Sequence, residues 1–158
     1  MTGKVADEFG GRIRIRACGL CFQHEKVLLV NHSGIYGHDF WAPPGGGVNF
    51  GEPVEMALKR EFLEECSTEI TVGNFLFGCE FITPPFHALE LFYEVVNYGP
   101  PALGSDPELA DHQVISELKF MGLSELKALP AHNLHGIFRH IQNPLELKRL
   151  SGFFTLLT

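Results

Sequence analysis

The stretch that most constrains the fold is residues 41–70, where a run of glycines leads into a helical pattern. Gly45–Gly47 are three consecutive glycines, and glycine lets the backbone turn sharply and approach other groups closely. The pattern that follows predicts a helix from Pro53 to about Cys66, because proline suits a first turn and Glu55 suits the N-terminal end of the helix dipole. The chain must therefore place a tight loop directly before a helix.

Acidic residues gather on one side of this helix. At about 100° per residue, Glu61, Glu64 and Glu65 fall within an arc of roughly 100°. The apolar residues lie largely on the other side, where we expect them to face a sheet: Met56, Phe62, Leu63 and Cys66. Three converging carboxylates repel one another unless a cation lies between them, and carboxylate oxygens are the ligands that Mg²⁺ and Mn²⁺ prefer. The alternative is a solvated acidic face without a ligand.

The spacing of these residues resembles the Nudix box, the signature of the Nudix (MutT-like) hydrolases. That signature reads G-x5-E-x7-R-E-U-x-E-E-x-G-U, where U is a bulky apolar residue. Gly46, Glu52 and the run Arg60–Glu65 match every fixed position without a change of spacing. The resemblance covers residues 46–68 and departs at two of them, since Ser67 replaces the glycine and Thr68 replaces the apolar residue.

The resemblance implies a role for each matched residue. Glu61, Glu64 and Glu65 would bind the metal, with Glu65 as the central ligand, and Gly46 would add its backbone carbonyl. Arg60 and Glu52 would orient the helix and the loop. The implied reaction is attack of water on phosphorus in a nucleoside diphosphate linked to another moiety, such as a nucleotide sugar, an ADP-ribose-like compound or a (d)NTP, with Mg²⁺ or Mn²⁺ as cofactor.

The general base and the substrate contacts are less constrained, because they vary outside the box. Candidates for the base are Glu64 and Glu65, Glu117 on a predicted strand, and Glu108 in the loop before that strand. Phe40 and Trp41 either stack on a base or pack in the core. Gly45 and Gly46 offer backbone contacts to the substrate.

The rest of the chain predicts one domain over 1–158, with an α/β fold of the Nudix type: an α/β/α sandwich with a mixed β-sheet. Residues 1–11 could be flexible, and we expect 131–158 to form a helical tail divided at Pro144. The alternation of apolar residues predicts the strands Arg12–Phe22, Lys26–Val30, Ile70–Ile82, Ala88–Val96 and Val114–Met121. A short helix is expected at Leu123–Leu129.

Composition limits the partners. The chain has 158 residues with 12 basic and 19 acidic side chains, a formal charge of −7, which argues against binding polymeric nucleic acid but not small nucleotides. No apolar run is long enough to span a membrane, and the N-terminus lacks the apolar core of a signal peptide. We therefore expect a cytoplasmic protein. Homodimers are common among proteins that resemble it, so the apolar stretch Leu150–Leu157 either packs between subunits or completes the core.

Cysteines and histidines show no completed metal motif. Cys18 and Cys21 have a CxxC spacing, but alternation along a strand sends their thiols to opposite faces, so we expect all four cysteines to be reduced and structural. His132, His135 and His140 have no completed ligand set, and we expect them at the surface or in a dimer contact.

Two other functions compete with hydrolysis. One is a Nudix-like nucleotide-binding or sensing module with little catalysis, which the departures at Ser67 and Thr68 would favour. The other is a structural subunit whose acidic helix is merely solvated.

Overall fold

The protein is built on one large mixed sheet with helices on both faces. The computed structural model describes residues 3–104 and 114–157. The strands of the sheet are β1 (Ile13–Gln23), β2 (Lys26–Asn31), β3 (Trp41–Ala42), β4 (Gly45–Gly47), β5 (Ile70–Thr83), β6 (Phe86–Tyr98), β7 (Glu117–Met121) and β8 (Phe153–Leu157). The helices are α1 (Gly3–Phe9), α2 (Ser33–Tyr36), α3 (Val54–Cys66) and α4 (Leu123–Ala128), with 3₁₀ helices at Ala131–Asn133, Gly136–Phe138 and Pro144–Arg149.

The order of the strands is β3-β2-β1-β6-β5-β8, with β4 paired to β1 and β7 paired to β2. The pairs β1–β6 and β5–β8 are parallel, and the other pairs are antiparallel. The predicted mixed sheet of an α/β/α sandwich is thereby confirmed. β1 lies at its centre and carries the glycine run beside it, since Gly45 pairs with Cys18 and Gly47 pairs with Arg16.

Helix α3 covers one face of the sheet. Its buried Phe62 packs with residues of β1 and β2, and a side chain at Gly19 of β1 would overlap the Phe62 ring. The helix can therefore lie close to the central strand. The opposite face is covered by α4 and the 3₁₀ helices, which bury Leu126, Phe138 and Leu147.

The cysteines follow the prediction. Cys18 belongs to the core on the α4 side of the sheet and Cys21 to the core on the α3 side. All four cysteines are buried and free, so the CxxC spacing reflects strand alternation.

The predicted orientation of α3 is partly wrong. Met56 and Leu63, expected to face the sheet, are 53% and 55% exposed. Glu61 and Glu65, expected on the opposite side, are buried. Around the helix axis these two carboxylates lie on the same side as Leu58 and Phe62, so they point toward β4 from the edge of the buried face.

The predicted helical tail is also wrong. Its 3₁₀ helices are short, and Phe153–Leu157 forms β8, which extends the sheet beside β5. The sequence FFTLL combines aromatic residues and threonine, which favour strands. At the other end, α1 occupies much of the segment that was expected to be flexible. No helix among the described residues is long and apolar enough to cross a membrane.

Candidate active site

The glycine run brings backbone into direct contact with α3. Gly45 has φ of 152°, and a side chain there would overlap the backbone of Ala17 and Cys18. A side chain at Gly46 would occupy the position of the Glu61 carboxylate. Glycine is therefore required at both positions, at Gly45 by the adjoining strand and at Gly46 by the carboxylate.

Two of the three predicted carboxylate ligands converge on this loop. The Glu65 carboxylate accepts a hydrogen bond of 3.0 Å from the Gly45 N–H, and the Glu61 carboxylate lies against the Gly46 Cα. Both residues are more than 90% buried. The structure thus places two carboxylates beside two adjacent glycines of β4.

Arg60 joins the helix to the loop. Its Nε and Nη2 donate to both oxygens of Glu52 at 2.9 and 3.1 Å, and Nη2 also donates to the Gly47 carbonyl at 2.8 Å. Its Nη1 donates to Glu61 at 2.8 Å and to Glu64 at 3.2 Å. The Glu52 carboxylate accepts a further bond from the Asn49 N–H. Arg60 therefore fixes the loop, the helix and three carboxylates in one arrangement.

The charges in this cluster do not cancel. Burial raises the pKa of Glu61 to about 7, an increase that Arg60 opposes and the neighbouring Glu64 reinforces. Hydrogen bonding to Arg60 lowers the pKa of Glu52. Glu61 is thus a buried carboxylate that a second cation would stabilise in its charged form.

The donor set fits a hard divalent cation. Buried carboxylates beside the glycine backbone that lines the pocket supply oxygen ligands of the kind that Mg²⁺ binds while keeping several waters. Among residues 3–104 and 114–157, no three His, Cys, Asp or Glu side chains already form a closed set of ligands. Glu61 and Glu65 line the pocket beside β4, whereas Glu64 contacts Arg60 and does not line the pocket.

A pocket opens beside the carboxylates. It is lined by Glu61, Glu65 and the glycine run, by cationic and imidazole side chains, and by aromatic rings. The rings are Phe9, Tyr36, Phe40, Phe81 and Phe86. Of the two aromatic residues proposed to contact substrate, Phe40 lines this pocket, whereas Trp41 packs in the core on the α4 side.

The arginines of β1 also line the pocket, and the sequence interpretation missed them. Arg14 and Arg16 line it, while Ile13 and Ile15, which alternate with them, are 62% and 50% exposed. The signal was present as the alternation RIRIR. Alternation alone does not say which set faces a site, and only the position of β4 shows which side faces the pocket.

A buried polar network lies behind Arg16. Arg16 Nη1 donates to Glu90 at 2.8 Å, and His135 Nε2 lies 2.7 Å from the other Glu90 oxygen. The expectation that His135 lies at the surface is wrong, because it is 1% exposed. His132 and His140 are exposed. No local motif marks His135, since its partner Glu90 lies 45 residues away in the chain.

The remaining candidates lie apart from the carboxylates. Glu117 is an exposed residue at the start of β7, paired with Asn31, and it does not line the pocket. Glu108 falls outside the described residues.

The two departures from the box lie at the C-terminal end of α3. Ser67 adopts the left-handed conformation with φ of 50°, and its N–H donates to the Leu63 carbonyl. Beyond it, the N–H groups of Ala102 and Gly104 donate to the carbonyls of Cys66 and Glu65 at 2.8 Å each. The turn therefore keeps the geometry that glycine favours, and the substitution alters no group at β4.

Comparisons with known proteins agree with this geometry. The sequence matches the NUDIX domain family over residues 12–140, whereas no curated protein matches it significantly. A MutT NUDIX hydrolase from Burkholderia pseudomallei superposes with a TM-score of 0.66 at 24% identity, covering 86% of this chain and 98% of that one.

Two further structures share the fold. A NUDIX hydrolase from Nitrosomonas europaea has a TM-score of 0.67 at 18% identity, with 86% of this chain and 88% of that one covered. An ADP-ribose pyrophosphatase from Streptococcus suis has a TM-score of 0.56 at 16% identity, with 89% and 98% covered. Because the family match spans most of the chain and includes the glycine loop and α3, this protein belongs to the NUDIX domain family of hydrolases.

Proposed function

We propose that this protein is a Mg²⁺- or Mn²⁺-dependent pyrophosphohydrolase that cleaves a nucleoside diphosphate linked to another moiety. The observation that carries the proposal is the convergence of the Glu61 and Glu65 carboxylates on Gly45 and Gly46. A divalent cation bound there would neutralise phosphate oxygens and lower the pKa of an attacking water.

The pocket supports a nucleotide as substrate. Its carboxylates would hold the metal that pairs with phosphates, and Arg14 adds positive charge in the same pocket. The aromatic rings offer a surface for a planar base or for the moiety linked to it. Phosphate at the carboxylate end and an aromatic group at the other end would place the anhydride bond beside the metal.

The substrate class stays as broad as the sequence left it: nucleotide sugars, ADP-ribose-like compounds and (d)NTPs. The related folds include a MutT hydrolase and an ADP-ribose pyrophosphatase, which favours testing both kinds of nucleotide. A cytoplasmic location and a homodimer likewise stay predictions.

For the general base we favour Glu65 over Glu64. Both lie on α3, but Glu65 lines the pocket and accepts a hydrogen bond from the glycine loop, whereas Glu64 contacts Arg60. Glu117 is exposed and outside the pocket lining, so its proposed role has no geometric support. An unchanged pH–rate profile in Glu117→Ala would remove it from contention.

The experiment is a panel of (d)NTPs, ADP-ribose, nucleotide sugars, dinucleoside polyphosphates and dinucleotide cofactors, each with Mg²⁺ or Mn²⁺ and with products identified. We expect metal-dependent release of a nucleoside monophosphate from at least one class. Nucleotide binding without turnover of any compound would instead identify a sensing module. No metal effect on turnover or on thermal stability would leave α3 as a solvated acidic helix.

A further inference from the structure

A second arginine holds the glycine loop from the side opposite α3. Arg16 Nη2 donates to the Gly45 carbonyl at 3.0 Å, and the N–H of the same glycine donates to Glu65. Gly45 therefore links the guanidinium of Arg16 to a candidate metal ligand through one residue of backbone. The position of Arg16 bears directly on the position of the loop.

The Glu90 partner of Arg16, and the His135 that contacts Glu90 in turn, are among the most buried polar groups described. Glu90 and His135 are each 1% exposed. Burial alone would raise the pKa of Glu90, but the nearby His135 and Arg16 outweigh it and lower that pKa. Glu90 is therefore a carboxylate that accepts hydrogen bonds on both oxygens.

The hydrogen bonds orient the His135 ring. Its Nε2 lies 2.7 Å from the Glu90 oxygen that Arg16 does not contact, and because a carboxylate oxygen accepts, Nε2 is the donor. The Nδ1 atom faces the Ile137 N–H at 3.4 Å. The ring thus lies between Glu90 and the backbone of the 3₁₀ helix that follows it.

Aromatic packing holds that orientation. The His135 ring stacks on Phe81 with a centroid distance of 5.4 Å and an interplanar angle of 18°. Phe40 and Phe92 meet it edge-on at 6.3 and 5.9 Å. Because three rings pack around His135, its Nε2 meets Glu90 from one direction, and Glu90 accepts from Arg16 in one geometry.

Burying such charges is costly unless the geometry is good and every group is paired. Here Glu90 has partners on both oxygens, and Arg16 bonds both Glu90 and the backbone. We propose that Glu90 and His135 fix Arg16 as a positioning residue, which holds the Gly45 carbonyl and thereby aims the Gly45 N–H at Glu65. This inference deepens the proposed hydrolase function and rests on it for its kinetic consequence.

The test compares Glu90→Gln and Arg16→Lys with a matched control. Glutamine is nearly isosteric but cannot accept from both Arg16 and His135, and lysine keeps the charge of Arg16 without its fork of donors. The control is Glu94→Gln. Glu94 lies on the same strand and face, four residues along, and pairs with Lys148 at 2.8 Å away from the pocket lining.

Three measurements are made. The first is hydrogen exchange of the Gly45 amide in the metal-free protein by NMR, which depends on neither turnover nor metal. The second is Mn²⁺ affinity by titration, and the third is kcat and KM with whichever substrate the panel identifies. Thermal melting establishes that each variant is folded.

We expect Gly45 exchange to rise at least about tenfold in both variants. Mn²⁺ affinity and kcat should fall by about tenfold to a hundredfold, as for residues that orient metal ligands, with KM nearly unchanged. The double variant should be little worse than either single variant, since both changes act on one contact. Glu94→Gln should behave as wild type in all three measurements.

Unchanged Gly45 exchange in folded Arg16→Lys overturns the proposal, and so does a rise in KM alone, which would show direct substrate binding by Arg16. If Glu90→Gln does not fold, Arg16→Lys carries the test. If the wild-type protein hydrolyses nothing, the proposed function fails, while the exchange data still decide whether Arg16 positions Gly45.

Discussion

Two arginines hold the glycine run, one on each side of Gly46, and they do so by different means. Arg60 donates to the Gly47 carbonyl and contacts three carboxylates from a quarter-exposed position on α3. Arg16 donates to the Gly45 carbonyl and contacts one fully buried carboxylate from the sheet. The helix side thus has a surplus of negative charge, which suits an incoming cation, whereas the sheet side is balanced and suits a fixed support.

The largest expected effect comes from the residue that the loop contacts directly. Glu65→Gln keeps the shape of the side chain but removes the charge that a divalent ion requires, so we expect metal-dependent turnover to fall by more than about a hundredfold. Folding should be intact by circular dichroism and thermal melting. The exposed Glu55→Gln on the same helix is the matched control. Full activity in Glu65→Gln would refute its role as a ligand.

Next in size is the comparison between the arginines themselves. Arg60→Lys keeps the charge but cannot contact Glu52, Glu61 and the Gly47 carbonyl together, so kcat should fall by about tenfold to a hundredfold. The loss should exceed that of Arg16→Lys, because more carboxylates lose a partner. Kinetics with Mg²⁺ would measure it, with exposed Lys59→Gln as the control. If kcat falls equally or less in Arg60→Lys, the contacts of Arg16 on the sheet side matter at least as much for turnover as those of Arg60.

A pH titration should distinguish the helix side of the glycine run from the sheet side. With the pKa of Glu61 raised by burial to about 7, Mg²⁺ must displace a proton below that pH, so metal affinity should rise about tenfold between pH 6 and 8. In the metal-free protein the free energy of unfolding should fall as pH rises from about 4.5 to 7, because the folded state holds that proton more tightly. Thermal melts and Mn²⁺ titrations would measure both.

The sheet side should respond in the opposite sense. The pKa of Glu90 is lowered from its ordinary 4.5, so its contribution to stability is present above that pH and is lost as pH falls below it. Glu61→Gln should abolish the change in metal affinity between pH 6 and 8. It should leave unchanged the loss of stability in acid. If metal affinity in that variant still rises between pH 6 and 8, the pH dependence does not come from Glu61.

The smallest effect is expected at the far end of α3. Ser67 holds a left-handed conformation that glycine adopts without strain, so Ser67→Gly should raise the free energy of unfolding by up to about 1 kcal/mol. Because neither arginine contacts this turn, kcat should not change. Denaturant unfolding measures the first quantity, and a change in kcat would show that the turn influences the loop.

The difference between the two arginines also shows how much of the site can be predicted from the sequence. Arg60, Glu61 and Glu65 follow a fixed spacing within one loop and helix, so the resemblance to the Nudix box identified them, and the mixed sheet followed from strand patterns. Arg16, Glu90 and His135 come from three separate segments that only the parallel pairing of β1 with β6 and the packing of the tail bring together. The sequence left open whether the Glu61 and Glu65 carboxylates are exposed or face a cleft, because helical periodicity places residues around an axis without saying where the neighbouring loop lies.

In the first half of β1 the apolar residues are exposed and the charged residues line the pocket, and this affects how the protein can be engineered. Hydropathy would assign Ile13 and Ile15 to the interior and Arg14 and Arg16 to solvent, yet the isoleucines are exposed and the arginines are half-buried along the pocket. A register shift of one residue would exchange the positions of the isoleucines and the arginines. Burial of apolar side chains therefore favours the wrong register at this end of the strand. The pairing of Arg16 with Glu90 and the buried residues from Ala17 onward favour the correct one. Polar replacements meant to improve solubility should therefore be made at the isoleucines, and the arginines should be kept as parts of the pocket wall.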